Sequence, residues 1–270
     1  MKKMKMTKET KIKLIVLGVL CFLTIGFACI TFIFAPKIDE PVVDNVLEDI
    51  EVEREIKEDE LTILKKSYEE NKKINDDYVG QIYFDSKLID LPFVQGETND
   101  KYMRTDWKTM NYDAGGSIFV EASNNILIDQ NLIIYGHNYS VSQDPTSTKF
   151  FSPLRALMNS NNYEDNKIIN IFLGDKILKY EVIYVYKVKV LEEDGVQYLD
   201  EGEPYYDTIN FSEEEFNDYI NKVIEREYYS TGKLITYDDK MLTLQTCIDD
   251  ILDKLVINAK LIDIIDINSL

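Results

Sequence analysis

The sequence contains few of the residues that build disulfide frameworks or phosphate-binding loops. Its 270 residues include three cysteines, and two of them, Cys21 and Cys29, lie in an apolar N-terminal segment. One thiol therefore remains outside that segment, which excludes an intramolecular disulfide framework in the rest of the chain. No internal repeat and no glycine motif that would cradle a phosphate is present among the 11 glycines.

Basic residues are also scarce, because 30 lysines and arginines face 49 aspartates and glutamates and give a net charge of −19. The charge is uneven, since residues 1–13 hold six lysines and one glutamate. The remainder is strongly acidic. We therefore expect no nucleic-acid partner, because phosphate binding needs clustered lysine or arginine.

One long stretch has no charged residue at all. Leu14–Ala35 comprises 22 uncharged residues, enough for a helix across a bilayer and more than the apolar region of a signal peptide. The lysines before it predict a cytoplasmic tail over residues 1–13 and export of everything that follows. Cys21 and Cys29 would then face lipid or a neighbouring helix. A cleaved signal peptide is the alternative interpretation.

The segment after the apolar stretch predicts a tether. Residues 36–60 are predominantly acidic and read as a solvated linker, with extended or weakly ordered chain expected over Lys37–Glu51. Apolar positions between Val52 and Ile74 permit one or two amphipathic helices. Residues 61–270 are expected to form the folded domain.

That domain has the pattern of a β-rich protein. At least seven strands with turn residues between them predict a closed or nearly closed barrel, including a hairpin around Gly174–Asp175. The clearest helix is Phe211–Tyr228, where Ser212 and Glu215 form a capping box and Phe211 and Phe216 a hydrophobic staple. The last two strands, MLTLQTC and KLVINAKLI, are expected to flank a short solvated loop, IDDILD.

A thiol and an imidazole each follow a predicted strand. Cys247 ends MLTLQTC, and His137, the one histidine of the chain, follows NLIIY. Each residue alone is more often structural. Together they favour a cysteine nucleophile, because an imidazole that accepts the thiol proton activates the sulfur. A closed barrel would let these two strand ends meet at one rim.

The same segments resemble a known family. INDDYVGQIYF, IDLPFVQGETNDKYMRTDW, GGSIFVEASNN, LIIYGHNYS and DDKMLTLQTC followed by KLVINAKLI are similar, in this order, to class B sortases, membrane-anchored enzymes of Gram-positive bacteria. The resemblance covers roughly residues 60–263. It implies a mainly β fold: an eight-stranded sortase-type barrel with an N-terminal helical segment and an extra helix before the cysteine strand. It also implies a thiol transpeptidase that needs neither cofactor nor metal.

The resemblance implies roles for three residues. Cys247 would attack the scissile carbonyl, and His137 would protonate the leaving amine and deprotonate the incoming one. The family has an arginine where this chain has Lys254, which keeps the positive charge without the planar fork. Two alternatives stay open: a weakened or redirected site, or an arginine from elsewhere, the candidates being Arg54, Arg104, Arg155 and Arg226.

The resemblance also implies partners. The extracellular domain, residues 61–270, would cut secreted proteins after the threonine of a C-terminal sorting motif and join them to an amine of a peptidoglycan precursor. The motif itself is left open between an Asn-Pro and a Ser/Pro-Pro start followed by x-Thr. Two alternatives are a sortase that joins pilin subunits through a lysine amine and a catalytically weakened scaffold on the same barrel.

Overall fold

A computed structural model of the chain describes residues 43–139, 147–248 and 250–269. The chain divides into two compact units, Met1–Glu58 and Asp59–Leu270. The predicted tail and the uncharged stretch Leu14–Ala35 lie outside the described residues. Within the described residues, no helix has the length and apolar character needed to cross a membrane.

The first described element is helix α1, Val43–Ile74. It begins before the start at Val52 that the apolar pattern predicted, so residues 43–51 are helical and not extended. Residues 43–58 contain no glycine or proline and many glutamates, a composition with adequate helix propensity even without an apolar stripe. At the other end, the ring of Tyr68 packs against those of Tyr78 and Phe172, with centroids 5.6 and 5.8 Å away.

Eight strands form a closed barrel in the order β1-β2-β3-β4-β9-β10-β6-β5, and two more form a separate hairpin, β7-β8. The predicted eight-stranded barrel with flanking helices is thereby confirmed. The strands are β1 Tyr78–Phe84, β2 Asp90–Val94, β3 Ile118–Val120, β4 Asn131–Tyr135, β5 Ile168–Phe172, β6 Lys176–Val188, β7 Val190–Glu193, β8 Val196–Leu199, β9 Met241–Ile248 and β10 Asp250–Asp266. Two short helices, α2 Asp100–Met103 and α3 Tyr163–Asn166, lie in the connections.

Strand β9 shows which face of the barrel wall carries the cysteine. Leu242, Leu244 and Ile248 belong to the apolar core inside the barrel. Because side chains alternate between the two faces of a strand, Thr243 and Cys247 project from the outer face. The thiol therefore lies outside the packed core.

Helix α4, Glu213–Ile224, covers much of that outer face. Phe216, Tyr219 and Val223 pack in one cluster with residues of β6 and β10. The predicted capping box at Ser212 is present. The helix ends before the predicted Tyr228, because the backbone N–H of Tyr228 bonds to the carbonyl of Val185 in β6 at 2.9 Å, which draws the chain into extended pairing.

The β7-β8 hairpin was not predicted from the sequence. Asp194 and Gly195 connect its strands, with φ angles of +54° and +78°. Two consecutive left-handed residues make the type I′ turn that favours Asp-Gly. That dipeptide was the available signal.

The acidic connection IDDILD also differs from the expected solvated loop. Strand β9 runs to Ile248 and β10 starts at Asp250, with a register shift before Lys254. Asp253 is only 9% exposed. Its carboxylate accepts the backbone N–H of Val190 at 3.2 Å and pairs with the ammonium of Lys187 at 2.7 Å. The carboxylate therefore ties β10 to the β6–β7 connection.

Candidate active site

Cys247 and Lys254 are direct partners across the last two strands of the barrel. Their Cα atoms are paired in the antiparallel register of β9 and β10, which places both side chains on the outer face. The Nζ atom of Lys254 lies 3.4 Å from the Sγ atom of Cys247. The thiol is free and partly exposed, so a substrate can reach it.

His137 reaches the same rim because β4 runs parallel to β9. Tyr135 is paired with Gln245, and the ladder continues as the N–H of Gly136 bonds to the carbonyl of Gln245 at 3.1 Å. One residue beyond the histidine, the side-chain amide of Asn138 donates to the carbonyl of Cys247 at 2.8 Å. His137 is held between these two ties to the cysteine strand.

The residue before the histidine has no room for a side chain unless its neighbours shift. A Cβ atom on Gly136 would lie 2.5 Å from Cδ1 of Ile118 and 2.7 Å from Cδ2 of Phe151, closer than carbon atoms approach without displacement. The backbone of Phe151 also donates to the carbonyl of His137 at 3.0 Å. Close packing therefore fixes the path of the chain into the histidine.

A backbone carbonyl selects the tautomer of His137. The Nε2 atom lies 2.9 Å from the carbonyl oxygen of Met103, which can only accept, so Nε2 carries the proton and Nδ1 is the nitrogen that titrates. Burial lowers the pKa of His137 below 6.5, and the positive charges of Arg104 and Lys254 lower it further. The hydrogen bond to Met103 and the charge of Asp113 oppose this shift. The neutral imidazole is therefore favoured.

The arginines considered as substitutes for Lys254 have different surroundings. Arg226 pairs with Glu203 through Nε at 3.1 Å and donates to the carbonyl of Gly202 at 3.0 Å, which makes it a clamp on the loop after β8. Arg104 donates to the carbonyl of Ala114, and its charge acts on His137. Arg155 lies in the 3₁₀ helix Ser152–Met158. Arg54 lies where side chains are not described.

A groove of about 380 Å³ starts at Lys254. One wall is the β7-β8 hairpin, and the other is the segment Tyr205–Asp207 that precedes α4. Burial raises the pKa of Tyr206, and the charge of Asp207 raises it further. The sequence did not point to this segment, because it lies in irregular chain without a periodic pattern.

Three groups with complementary chemistry thus meet at one end of the barrel: a thiol, an imidazole with Nδ1 able to accept a proton, and an ammonium group. This set can form and break an acyl–sulfur bond. Over the described residues, no group of three or more histidine, cysteine or carboxylate side chains could hold a metal ion.

Comparisons with known proteins show similarity to sortase B in sequence and in fold. No protein-family model matches the chain. It is 24% identical to sortase B of Staphylococcus aureus over 205 residues, covering 74% of this chain and 77% of that protein. It is 28% identical to sortase B of Listeria monocytogenes over 177 residues, covering 65% and 64%. The crystal structure of Clostridium perfringens sortase B superposes with a TM-score of 0.59 at 27% identity, covering 72% of this chain and 99% of that one.

The relatives and the fold lead to the same identification. The closed eight-stranded barrel is that of the sortase B structures, and both sequence relatives are named sortase B. In sequence and fold this chain is similar to the sortase B proteins, and the likeness indicates a cysteine transpeptidase.

Proposed function

We propose that Cys247 attacks the carbonyl carbon after the threonine of a sorting motif. The observation that carries this proposal is the 3.4 Å contact between its sulfur and the ammonium of Lys254, at the rim where His137 is tied to the cysteine strand. In this step an acyl–sulfur bond forms, and the peptide C–N bond breaks as the tetrahedral intermediate collapses.

His137 moves the protons of both half-reactions through Nδ1. It takes the thiol proton when the sulfur attacks and gives that proton to the nitrogen of the leaving peptide. In the second half, the incoming amine attacks the thioester and loses a proton to Nδ1. The amide bond forms, the C–S bond breaks, and the sulfur recovers its proton from the imidazole.

Lys254 stabilises the oxyanion of the tetrahedral intermediates. Its ammonium is already beside the sulfur at 3.4 Å, so an acyl group bound to Cys247 would have its oxygen within reach of the same donor. A positive donor in a partly buried site stabilises the negative charge as it develops. Lysine offers one point-charge interaction where the family arginine offers a fork.

The natural donor is a secreted protein with a C-terminal sorting motif, and the acceptor is an amine of a peptidoglycan precursor, so that the product is a surface protein anchored to the cell wall. Relatives named sortase B support this assignment.

The enzyme is held at the cell membrane by Leu14–Ala35, with residues 1–13 in the cytoplasm. The lysines of residues 1–13 and the absence of charge in the following 22 residues support that orientation.

Mass spectrometry of the protein with a small panel of sorting peptides tests the chemistry. With a suitable peptide, we expect an adduct with the mass of the N-terminal peptide fragment on Cys247, and its loss when a small amine is added. Cys247→Ala should keep its fold and form neither adduct nor product. Full peptide cleavage by Cys247→Ala would contradict the assignment of the nucleophile.

A further inference from the structure

A chain of buried hydrogen bonds crosses the outer face of the barrel beneath helix α4. The hydroxyl of Tyr186 contacts that of Tyr219 at 2.8 Å, and Tyr219 donates to Oδ1 of Asn258 at 2.9 Å. The amide of Asn258 donates to Oγ1 of Thr243 at 2.9 Å, and Thr243 donates to Oδ1 of Asn131 at 2.8 Å. Each group donates to the next in the same direction, and the last bond is accepted by Oδ1 of Asn131. The NH₂ group of Asn131 therefore faces away from Thr243.

That NH₂ group meets the segment that precedes helix α4. Nδ2 of Asn131 donates to the carbonyl of Thr208 at 2.8 Å, and the backbone N–H of Asn131 donates to the carbonyl of Ile209 at 2.9 Å. Thr208 directly follows Asp207, which lines the groove beside Lys254 together with Tyr206. A fully buried side chain on the barrel is therefore bonded to the residue next to the groove wall.

We propose that Asn131 is a positioning residue for substrate binding. It holds Thr208, and through Thr208 it sets the position of Tyr206 and Asp207 against Lys254 and Cys247. Asn131 touches neither the sulfur nor the groove itself, so its effect is on how well a peptide fits and not on the reactivity of the thiol. The inference rests on the proposed function, because it assigns the groove to the sorting peptide.

Other contacts hold the same segment farther from the groove. The side-chain oxygen of Gln130 accepts from the backbone of Phe211 at 3.0 Å, and the backbone of Gln130 donates to Asn210 at 3.0 Å. Asn210 also donates to Asp129 at 3.1 Å. These bonds fix residues 210 and 211, so the side chain of Asn131 holds the position nearest the groove wall.

Steady-state kinetics of Asn131→Ala with a sorting peptide test the proposal. The variant removes the donor to the carbonyl of Thr208 and the acceptor for the hydroxyl of Thr243, which still accepts from Asn258. Loss of the one bond that holds Thr208 corresponds to roughly a tenfold effect. We expect KM for the peptide to rise by about that factor, with kcat and the pH profile of Cys247 alkylation by iodoacetamide unchanged. Hydrogen exchange of residues 205–209 should quicken.

Asn170→Ala is the matched control. Asn170 is also a buried asparagine, 4% exposed, and its Nδ2 donates to Asp85 at 2.7 Å on a part of the barrel wall formed by β5. It should lose stability without a change in KM or in the exchange of residues 205–209. An equal rise in KM for Asn170→Ala, or an unchanged KM for Asn131→Ala, would overturn the proposal.

A second variant and a second readout keep the outcome interpretable. Should Asn131→Ala not fold, Asn131→Asp keeps the acceptor for Thr243 and removes the donor to the carbonyl of Thr208, and it should raise KM and exchange in the same direction. An unchanged KM in that variant would contradict the positioning role of Asn131. If wild-type protein forms no adduct with any peptide, the proposed function fails. Hydrogen exchange that stayed unchanged in both variants would separately refute the anchoring role.

Discussion

The ammonium of Lys254 lies 3.4 Å from the sulfur of Cys247, directly across the last two strands of the barrel. The contact follows from the sheet register, because Lys254 and Cys247 are paired across the two strands. A slip by one residue would send Lys254 to the opposite face of β10. The register thereby places the ammonium of Lys254 beside the thiol of Cys247.

Substitutions of Lys254 should separate the effect of its positive charge from the effect of its hydrogen-bond geometry. We expect Lys254→Ala to lose on the order of 100-fold or more in turnover of a sorting peptide, the scale for one oxyanion donor. Lys254→Arg should keep or raise activity because it restores the fork, and Lys254→Gln should fall between. Thermal melts check that the variants are equally folded. Turnover of the alanine variant within about threefold of wild type would remove Lys254 from the oxyanion site.

His137 should titrate below its ordinary pKa of 6.5, because burial and two positive neighbours disfavour the charged ring. The chain has one histidine, so its ring protons can be followed by NMR, preferably in Cys247→Ala, which lacks the thiol of the candidate site. Arg104→Ala and Lys254→Ala should each move the pKa upward, while Arg226→Ala should not. A pKa above 6.5 in the unaltered site would contradict the structure.

The same shift has a consequence for stability. An unfolded chain would protonate His137 near its ordinary pKa, whereas the folded protein binds that proton only at lower pH. The unfolded state therefore gains protons first as the pH falls below 6.5, and the free energy of unfolding decreases over that window. Urea unfolding of wild type and His137→Ala across this range should show that the variant lacks this part of the pH dependence.

Gly136→Ala should displace the histidine. The added methyl would lie 2.5 Å from Ile118 and 2.7 Å from Phe151, and overpacking of this kind costs about 1–3 kcal/mol of unfolding free energy. We expect kcat/KM to fall as well, because the loop that carries His137 must shift. Gly232→Ala is the control, since nothing lies within 4 Å of its Cβ position although φ is +72°. Equal activity in both variants would contradict this account.

Protease accessibility tests the proposed membrane orientation. If Leu14–Ala35 spans the membrane with the lysines inside, protease added to intact protoplasts should digest the catalytic domain. An immunoblot against an N-terminal tag should then detect a small membrane-bound fragment. Complete protection of the chain would show that the orientation is wrong.

The sequence alone determined much of this protein. Period-two strands with turn residues between them predicted the barrel, and the capping box at Ser212 predicted the start of helix α4, because these signals depend on near neighbours in the chain. The motifs around His137 and Cys247 predicted the family and the two candidate site residues. The Asp194–Gly195 turn was equally local and could have been predicted.

Only the tertiary structure decided the contacts of the candidate site and the position of the groove, because these features depend on atoms far apart in sequence. The register of β9 and β10 pairs Lys254 with Cys247 across the two strands. The hydrogen bond to the carbonyl of Met103 determines the tautomer of His137. The connection Asn131–Thr208 and the groove beside Lys254 also arise where separate segments meet. Propensity and periodicity report on neighbouring residues, whereas register, buried hydrogen-bond partners and groove walls are fixed only when the closed barrel brings distant strands together.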